Sequence, residues 1–505
     1  MEDIKDVARQ LREAYNKPIE IKKFGRKYYA YSSTTVWDKE KKRRRKISRY
    51  IGRITREGLV EADKSRYTVG SVFEYGNARL AYEMIKPIEK KLEKEFGDIY
   101  IDIVAMGIIK LLRNAGIKMV ASVWEKIYLS QEIEAYLSPG TVSKRLRMIG
   151  RNMVGQMNFY NSLIEEGRYL IFDLSYLHSY SRQLPLAEKG YNKDHLDILQ
   201  VNFIMGFSIE KAVPVMMKVV PGSVREIKSF QEIIRYFIDR QVVLVLDRGY
   251  GSKELFGLMR RYKINFIISL QRGFKMIDFG TKMEGSFTYR DRGIKWGRKA
   301  TEGGFVYLYE DVVMRAEQET GFIIDVEKGK KTKQQYEEEK EKFGKFALYS
   351  NLDMDGKQIY LYYKQRENVE VAFDTLKNQL ENDKLYLSDQ EAVRGYFFII
   401  FIALYLYFRI HRILKENDLH EKISVKELLF ELSKVYLVYY KDGKKRLTEI
   451  PKKVEVLTEK LKLNLFPKDL RSLGWKRGRM KRGFGKRGKV ERGFGKGEKL
   501  KGMKF

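Results

Sequence analysis

Six side chains stand out by type and position. Asp173 closes the apolar run Tyr169–Phe172 in RYLIFDLSYLHSYS, and Asp247 closes another in QVVLVLDRGYGS. Residues 362–377, YYKQRENVEVAFDTLK, add Tyr363, Arg366, Glu370 and Lys377. At 100° per residue of helix these four fall within about 60°, while Val369, Phe373, Leu376 and Leu380 fill an adjoining band of about 60°. The apolar band docks the helix on a sheet, so the polar band emerges at the rim of that contact, where the strand-ending aspartates are expected. Two carboxylates at the ends of neighbouring buried strands are costly to keep charged unless a cation lies between them. With no Cys and only four His (His178, His195, His411, His420), a nitrogen- or sulfur-rich centre is poorly supplied. Hard oxygen ligands for Mg²⁺ or Mn²⁺ are available. A pair of such ions about 4 Å apart needs a third carboxylate, which Glu370 can provide. An exposed helix with an Arg366–Glu370 i,i+4 pair, worth about 0.3–0.5 kcal/mol, is the plainer alternative for the stretch by itself. The two strand-end aspartates and the cations beside Glu370 favour the site.

These residues need a scaffold. From 168 to 270 the order is three strands, helix, strand, helix, strand, which suits a mixed α/β sheet of ribonuclease-H type. The first core part is assigned to 166–272 and the second to 361–415, with a β-rich insertion over 273–360. Residues 1–70 are read as a basic N-terminal region whose segment 26–58 has a hairpin pattern with KEKKRRRK at its tip. Residues 71–165 turn helical and are read as DNA-binding, with LSPGTVSKRLRMIG resembling the second helix of a helix-turn-helix. A helical region over 416–465 and a disordered basic tail over 466–505, where RGFGK occurs at 482 and again at 492, complete the chain.

The 99 Lys and Arg against 67 Asp and Glu give a net charge of +32, which points to a polyanion such as nucleic acid. Candidate backbone contacts are Arg43, Arg44 and Arg45 in the N-terminal run, Lys144, Arg145 and Arg147 on the short helix, and Arg248 beside Asp247. The tail's cations and interleaved Phe suit sequence-blind contact with nucleic acid. The absence of cysteine suits a reducing compartment, so cytoplasm is expected, associated with the nucleoid of a prokaryote. MEDIKDVARQLREAY has no apolar leader pattern, and the apolar run YFFIIFIALYLYF at 396–408 is shorter than the roughly 18 residues of a membrane span. A buried core helix is expected there, and no membrane partner.

The spacing Tyr363-x2-Arg366-x3-Glu370-x6-Lys377 resembles the Y-R-E-K signature of the DDE insertion-sequence transposases. Asp173 and the DRGY strand end at Asp247 match the other two acids, and the similarity covers roughly 168–410. This resemblance implies that Asp173, Asp247 and Glu370 hold two Mg²⁺ (or Mn²⁺) ions that activate water and then a freed 3′-hydroxyl for attack on DNA phosphodiesters. It implies that Arg366, Lys377 and Tyr363 grip phosphates near the cleaved strand. It also implies double-stranded DNA partners, namely terminal inverted repeats and target, and a homodimer on DNA. In the family a base is flipped onto an aromatic of the insertion, for which Trp296 in GIKWGRK is the candidate, and Ser175 stands where a small hydroxyl is common. The RG-rich tail and the N-terminal hairpin depart from the family pattern.

A nuclease of the same fold that cuts without joining, and a non-catalytic nucleic-acid-binding protein, share many of these features; intact acids at all three positions argue against the latter. A tyrosine recombinase or a histidine-pair nuclease would need constellations that the sequence lacks.

Overall fold

The computed structural model describes residues 10, 13, 18–25, 27–38, 43–55, 58–61, 68–181, 183–192, 196–224, 226–238, 240–381 and 384–470. The disordered tail expected over 466–505 lies outside these from residue 471 onward, as do the hairpin tip 39–42 and His195.

Five strands form the centre: β1 (Tyr169–Ser179), β2 (Leu199–Ser208), β3 (Val213–Pro221), β4 (Val243–Leu246) and β5 (Asn265–Leu270). They lie in the order β3-β2-β1-β4-β5, with β1–β2 and β2–β3 antiparallel and β1–β4 and β4–β5 parallel. That is the arrangement of a ribonuclease-H-type sheet, so the mixed α/β class expected from the sequence holds. The strands read as unbroken apolar runs because helices cover both faces. Phe172 of β1 packs edge-on against Phe230 of helix α1 (Glu226–Ile234), while Phe203 of β2 meets Phe373 and Phe397 from the other side. Helix α2 (Lys253–Arg261) connects β4 to β5.

The insertion does not stand apart from this sheet. Its strands β6 (Gly285–Tyr289), β7 (Arg292–Thr301), β8 (Gly304–Asp311) and β9 (Lys345–Ser350) continue it beyond β5, through the antiparallel pair β5–β9, into one sheet of eleven strands among the described residues.

The chain returns through helices α3 (Gly356–Lys364) and α4 (Glu367–Asp374) to α5 (Gln390–Glu416), a 27-residue helix at the heart of the molecule. By length and composition α5 could cross a bilayer, so the expectation of a run too short for that is corrected, but 78% of its most apolar window is buried inside the fold. It serves as a core helix. The helix Pro139–Arg151 crosses it where Gly150 and Gly395 meet: a Cβ on Gly395 would lie 1.9 Å from the Leu146 carbonyl oxygen, and one on Gly150 would lie 1.8 Å from that of Glu391. The helix read as a DNA-reading element therefore buries Val142, Leu146 and Ile149 against the core.

Two smaller sheets flank this body. Ile19–Phe24, Lys27–Asp38, Arg43–Thr55 and Gly58–Glu61 make an antiparallel meander around Ile19, Ala30 and Ile54. Val69–Glu74 pairs with Tyr436–Tyr440, so the segment after the core folds back beside the helical region.

Candidate active site

The site sits where β4 ends and β1 does not. Leu246 is the last residue of β4 and pairs with Phe172, so Asp247 and Asp173 are the next residues of two adjacent parallel strands. Asp173 is thus not the end of its strand, as the sequence suggested. β1 runs on to Ser179, and past Phe172 no strand among the described residues pairs with this edge until the two-residue strand Lys384–Leu385 meets His178 and Ser179. This notch is the point where the connections on either side of β1 diverge, the usual ligand site of an open α/β sheet.

The third acid arrives on a broken helix. Residues 362–377 are not one helix: α3 ends at Lys364, Gln365 and Arg366 form a joint, α4 follows, and Thr375–Gln379 open into a π turn. At the joint the backbone tightens to i→i−3 bonds, from Arg366 N to the Tyr363 carbonyl and from Val369 N to that of Arg366. Both joint residues keep right-handed helical dihedrals, so the Tyr363–Arg366–Glu370 edge survives the break. Val369, Leu376 and Leu380 are buried, and Phe373 lies edge-on against Phe203, which seats this face on the sheet as the apolar band predicted.

All three acids converge on one guanidinium. Arg366 Nη2 lies 2.8 Å from Glu370 Oε1, and Nη1 lies 3.6 Å from Asp173 Oδ2 and 3.7 Å from Asp247 Oδ2. The Arg366 side chain is 20% exposed, against 18% for Asp173, 30% for Asp247 and 47% for Glu370. Burial alone would lower the Arg366 pKa, but Asp247, Tyr363, Glu370 and Asp173 more than offset it and hold the guanidinium above its ordinary value. The Tyr363 hydroxyl donates to Asp247 Oδ1 at 3.2 Å; burial first, and then the Asp247 charge, push its pKa up, so it remains a proton donor. Among the described residues no three His, Asp or Glu side chains are gathered closely enough to hold a metal ion as they stand. The reason is visible here: the guanidinium lies amid the carboxylates. Their all-oxygen chemistry nevertheless suits a hard divalent cation.

The other candidates divide. Lys377, in the π turn, places its Nζ 4.1 Å from the centre of the Tyr176 ring, at the open edge of β1. Arg248 is exposed directly after Asp247, and Ser175 is buried two residues from Asp173. Trp296 is not an open platform: its ring fills the space over Gly356, where a Cβ would come within 2.2 Å of it, and over Gly285. Arg145 turns inward to Asp102, whose side chain is 3% exposed, at 2.6 Å, so a structural ion pair replaces the expected DNA contact. Lys144 and Arg147 face outward. Arg43, Arg44 and Arg45 are exposed, but they belong to a strand, opposite Asp38, Trp37 and Val36, rather than to a hairpin tip. Tyr176 was missed by sequence reasoning. The signal was the period-two series Tyr176, His178, Tyr180 in SYLHSY, which places two rings along the strand and a third just past its end.

A ribonuclease-H-type sheet with three carboxylates meeting at the open notch of its central strands defines a ribonuclease-H-like core with an acidic triad. Residues 169–406 match the family model of the transposase DDE domain, so the resemblance to DDE transposases holds over that segment. A comparison with curated proteins finds no match. Among solved structures, the piggyBac transposase synaptic complex with hairpin DNA is similar at 12% identity and a TM-score of 0.38, covering 71% of this chain and 78% of that one. The fold assignment rests on strand order and direction, not on that likeness.

Proposed function

We propose that the protein is a DNA transposase that binds the ends of a mobile element and carries out metal-dependent strand cleavage and strand transfer by a cut-and-paste route. The observation that supports this most is the meeting of Asp173, Asp247 and Glu370, from three separated segments, around one side chain within the matched domain. In this reading these acids hold two Mg²⁺ or Mn²⁺ ions, which when bound supply positive charge at the attacking and leaving oxygens of the phosphodiester. The chain's own groups position the reaction. Tyr363 fixes the orientation of Asp247 through its hydroxyl, and Arg366 gathers the three acids around its guanidinium. Lys377 and Arg248 offer cations to phosphates at the rim, and Arg43, Arg44, Arg45, Lys144 and Arg147 extend that sequence-blind contact along the duplex. Terminal inverted repeats and target DNA are the partners, with a second copy of the chain on the DNA, in the nucleoid of a prokaryotic cytoplasm.

The test is an assay in Mg²⁺ on DNA carrying the ends of the element in which the gene lies. Wild type is expected to yield cleaved and joined products, and Glu370→Gln to abolish both while leaving DNA binding largely intact. Cleavage retained by the variant removes Glu370 from the site. Cutting without joining favours the nuclease alternative, and binding without either favours a non-catalytic protein, a reading to which the guanidinium amid the acids lends some weight.

A further inference from the structure

The edge of β1 leads from the acids to a second cluster. Beyond the notch, Leu385 pairs with Ser179, and Tyr180 N donates to the Leu385 carbonyl at 2.9 Å. The chains thus leave the pairing side by side, and the rings of Tyr180 and Tyr386 stack with centroids 5.5 Å apart and planes 22° from parallel. Both are open to solvent, at 54% and 72%. Burial of apolar area does not account for two large rings held together in water at one strand end. The cations around them are placed like those around Tyr176: Lys384 Nζ lies 5.9 Å from the centre of the Tyr180 ring, as Lys377 Nζ lies 4.1 Å from that of Tyr176. Tyr176 and His178 step along β1 on the face opposite that of Asp173, in ring contact at 5.4 Å, and Tyr180 follows one residue past the strand's end.

We propose that Tyr180 and Tyr386 form a stacking platform for an unpaired nucleobase of DNA held at the acidic triad. This rests on the transposase reading and adds to it a subsite apart from the insertion. Three observations carry it. The rings offer exposed π-faces, which accept any base. The lysines beside them match the phosphates that accompany each base. The platform begins just past the end of the strand that carries Asp173, seven residues along the chain, or about 23 Å at roughly 3.3 Å per residue. That span corresponds to about seven nucleotides of B-form DNA at 3.4 Å per step. A base stacked there lies several nucleotides from the phosphate at the acids, so the platform acts on flanking or melted DNA rather than on the reacting nucleotide.

The experiment compares wild type, the double variant Tyr180→Ala/Tyr386→Ala, and the double variant Tyr180→Phe/Tyr386→Phe. The probes are a duplex and the same duplex with a single-stranded oligothymidine extension containing one 2-aminopurine. Both tyrosines are exposed, so folding is expected to persist, and the thermal midpoint checks it. Wild type should bind the extended DNA more tightly than the duplex and alter 2-aminopurine fluorescence. The alanine pair should lose about five- to hundredfold of affinity for the extended DNA and little for the duplex. The phenylalanine pair, which keeps the rings, should behave like wild type. Equal affinity of the alanine pair and wild type for the extended DNA overturns the platform and leaves the transposase reading intact. The same holds for equal losses on both probes, or for a change in sedimentation without DNA, which would make the rings a contact between copies of the chain. Failure of wild type to bind either DNA overturns both.

Discussion

Replacing Arg366 by Ala tests whether the guanidinium stands in for a bound cation. It removes a positive charge that touches Glu370, Asp173 and Asp247 at 2.8, 3.6 and 3.7 Å. Breaking a buried pair costs about 3–5 kcal/mol, and breaking an exposed one about 0–1 kcal/mol. The side chains here, 18–47% exposed, lie between these limits, so the metal-free protein should lose about 2 kcal/mol. The same substitution frees the carboxylates. A divalent ion entering wild type must displace or share space with the guanidinium, whereas in Arg366→Ala it meets uncompensated acids. Affinity for Mg²⁺ should therefore rise by roughly the same free energy, or about thirtyfold at 1.4 kcal/mol per decade. An ion at a hundred times its Kd stabilises by about 2.7 kcal/mol, enough to return the variant to wild-type stability. Urea unfolding with and without Mg²⁺, together with calorimetric titration of Mg²⁺ and Ca²⁺, measures both quantities without any catalytic turnover. Glu370→Gln in the Arg366→Ala background should remove most of the gain. A variant as stable as its parent in the absence of metal, or one that binds Mg²⁺ no more tightly, would refute the displacement argument.

Two further predictions concern the scaffold. Lys110 is 6% exposed, and burial pushes its pKa down to about 8. A lysine whose folded pKa lies below its unfolded value costs stability in full below pH 8, and that cost fades as pH rises toward about 10.4, because over this window the unfolded chain binds more protons. Lys110→Met should therefore stabilise at pH 7 by about 1–3 kcal/mol, allowing for the lost hydrogen bonds to Asn114 and Tyr396. Denaturant midpoints of the two proteins should converge by about pH 10.5; a gain independent of pH would assign the effect to packing instead. Gly395→Ala should destabilise by about 3 kcal/mol or more, since its Cβ would lie 1.9 Å from the Leu146 carbonyl oxygen and force two core helices apart. Unchanged thermal unfolding would mean that this crossing has slack.

What the sequence made legible was local. Strands buried on both faces announce themselves as apolar runs, and an aspartate after such a run is visible without any knowledge of its neighbours. That is why the order of β1 to β5 and the three acids could be read. What it hid depends on partners far along the chain. Asp173 looked like a strand end, yet the strand that ends is its neighbour β4, and only the Leu246–Phe172 pairing exposes the difference. Arg145 looked like a surface cation because Asp102 lies 43 residues away. The insertion was legible as β-rich, but nothing in its own residues states that β9 pairs with β5. The joint at Gln365 and Arg366 carries no Gly or Pro, so no local signal marks it. The edge of Tyr363, Arg366 and Glu370 was nevertheless read correctly from an unbroken wheel, and the reason is physical. A tightened i→i−3 turn shifts azimuth by only about 20° per residue relative to the α-helix, less than the width of the edge. The helical period therefore carries the edge past the joint. The π turn that follows departs from the wheel further along, at Lys377, whose ammonium lies over the Tyr176 ring at the edge of β1. Spacing alone placed the first three residues on one edge, but the surroundings of the fourth needed the fold.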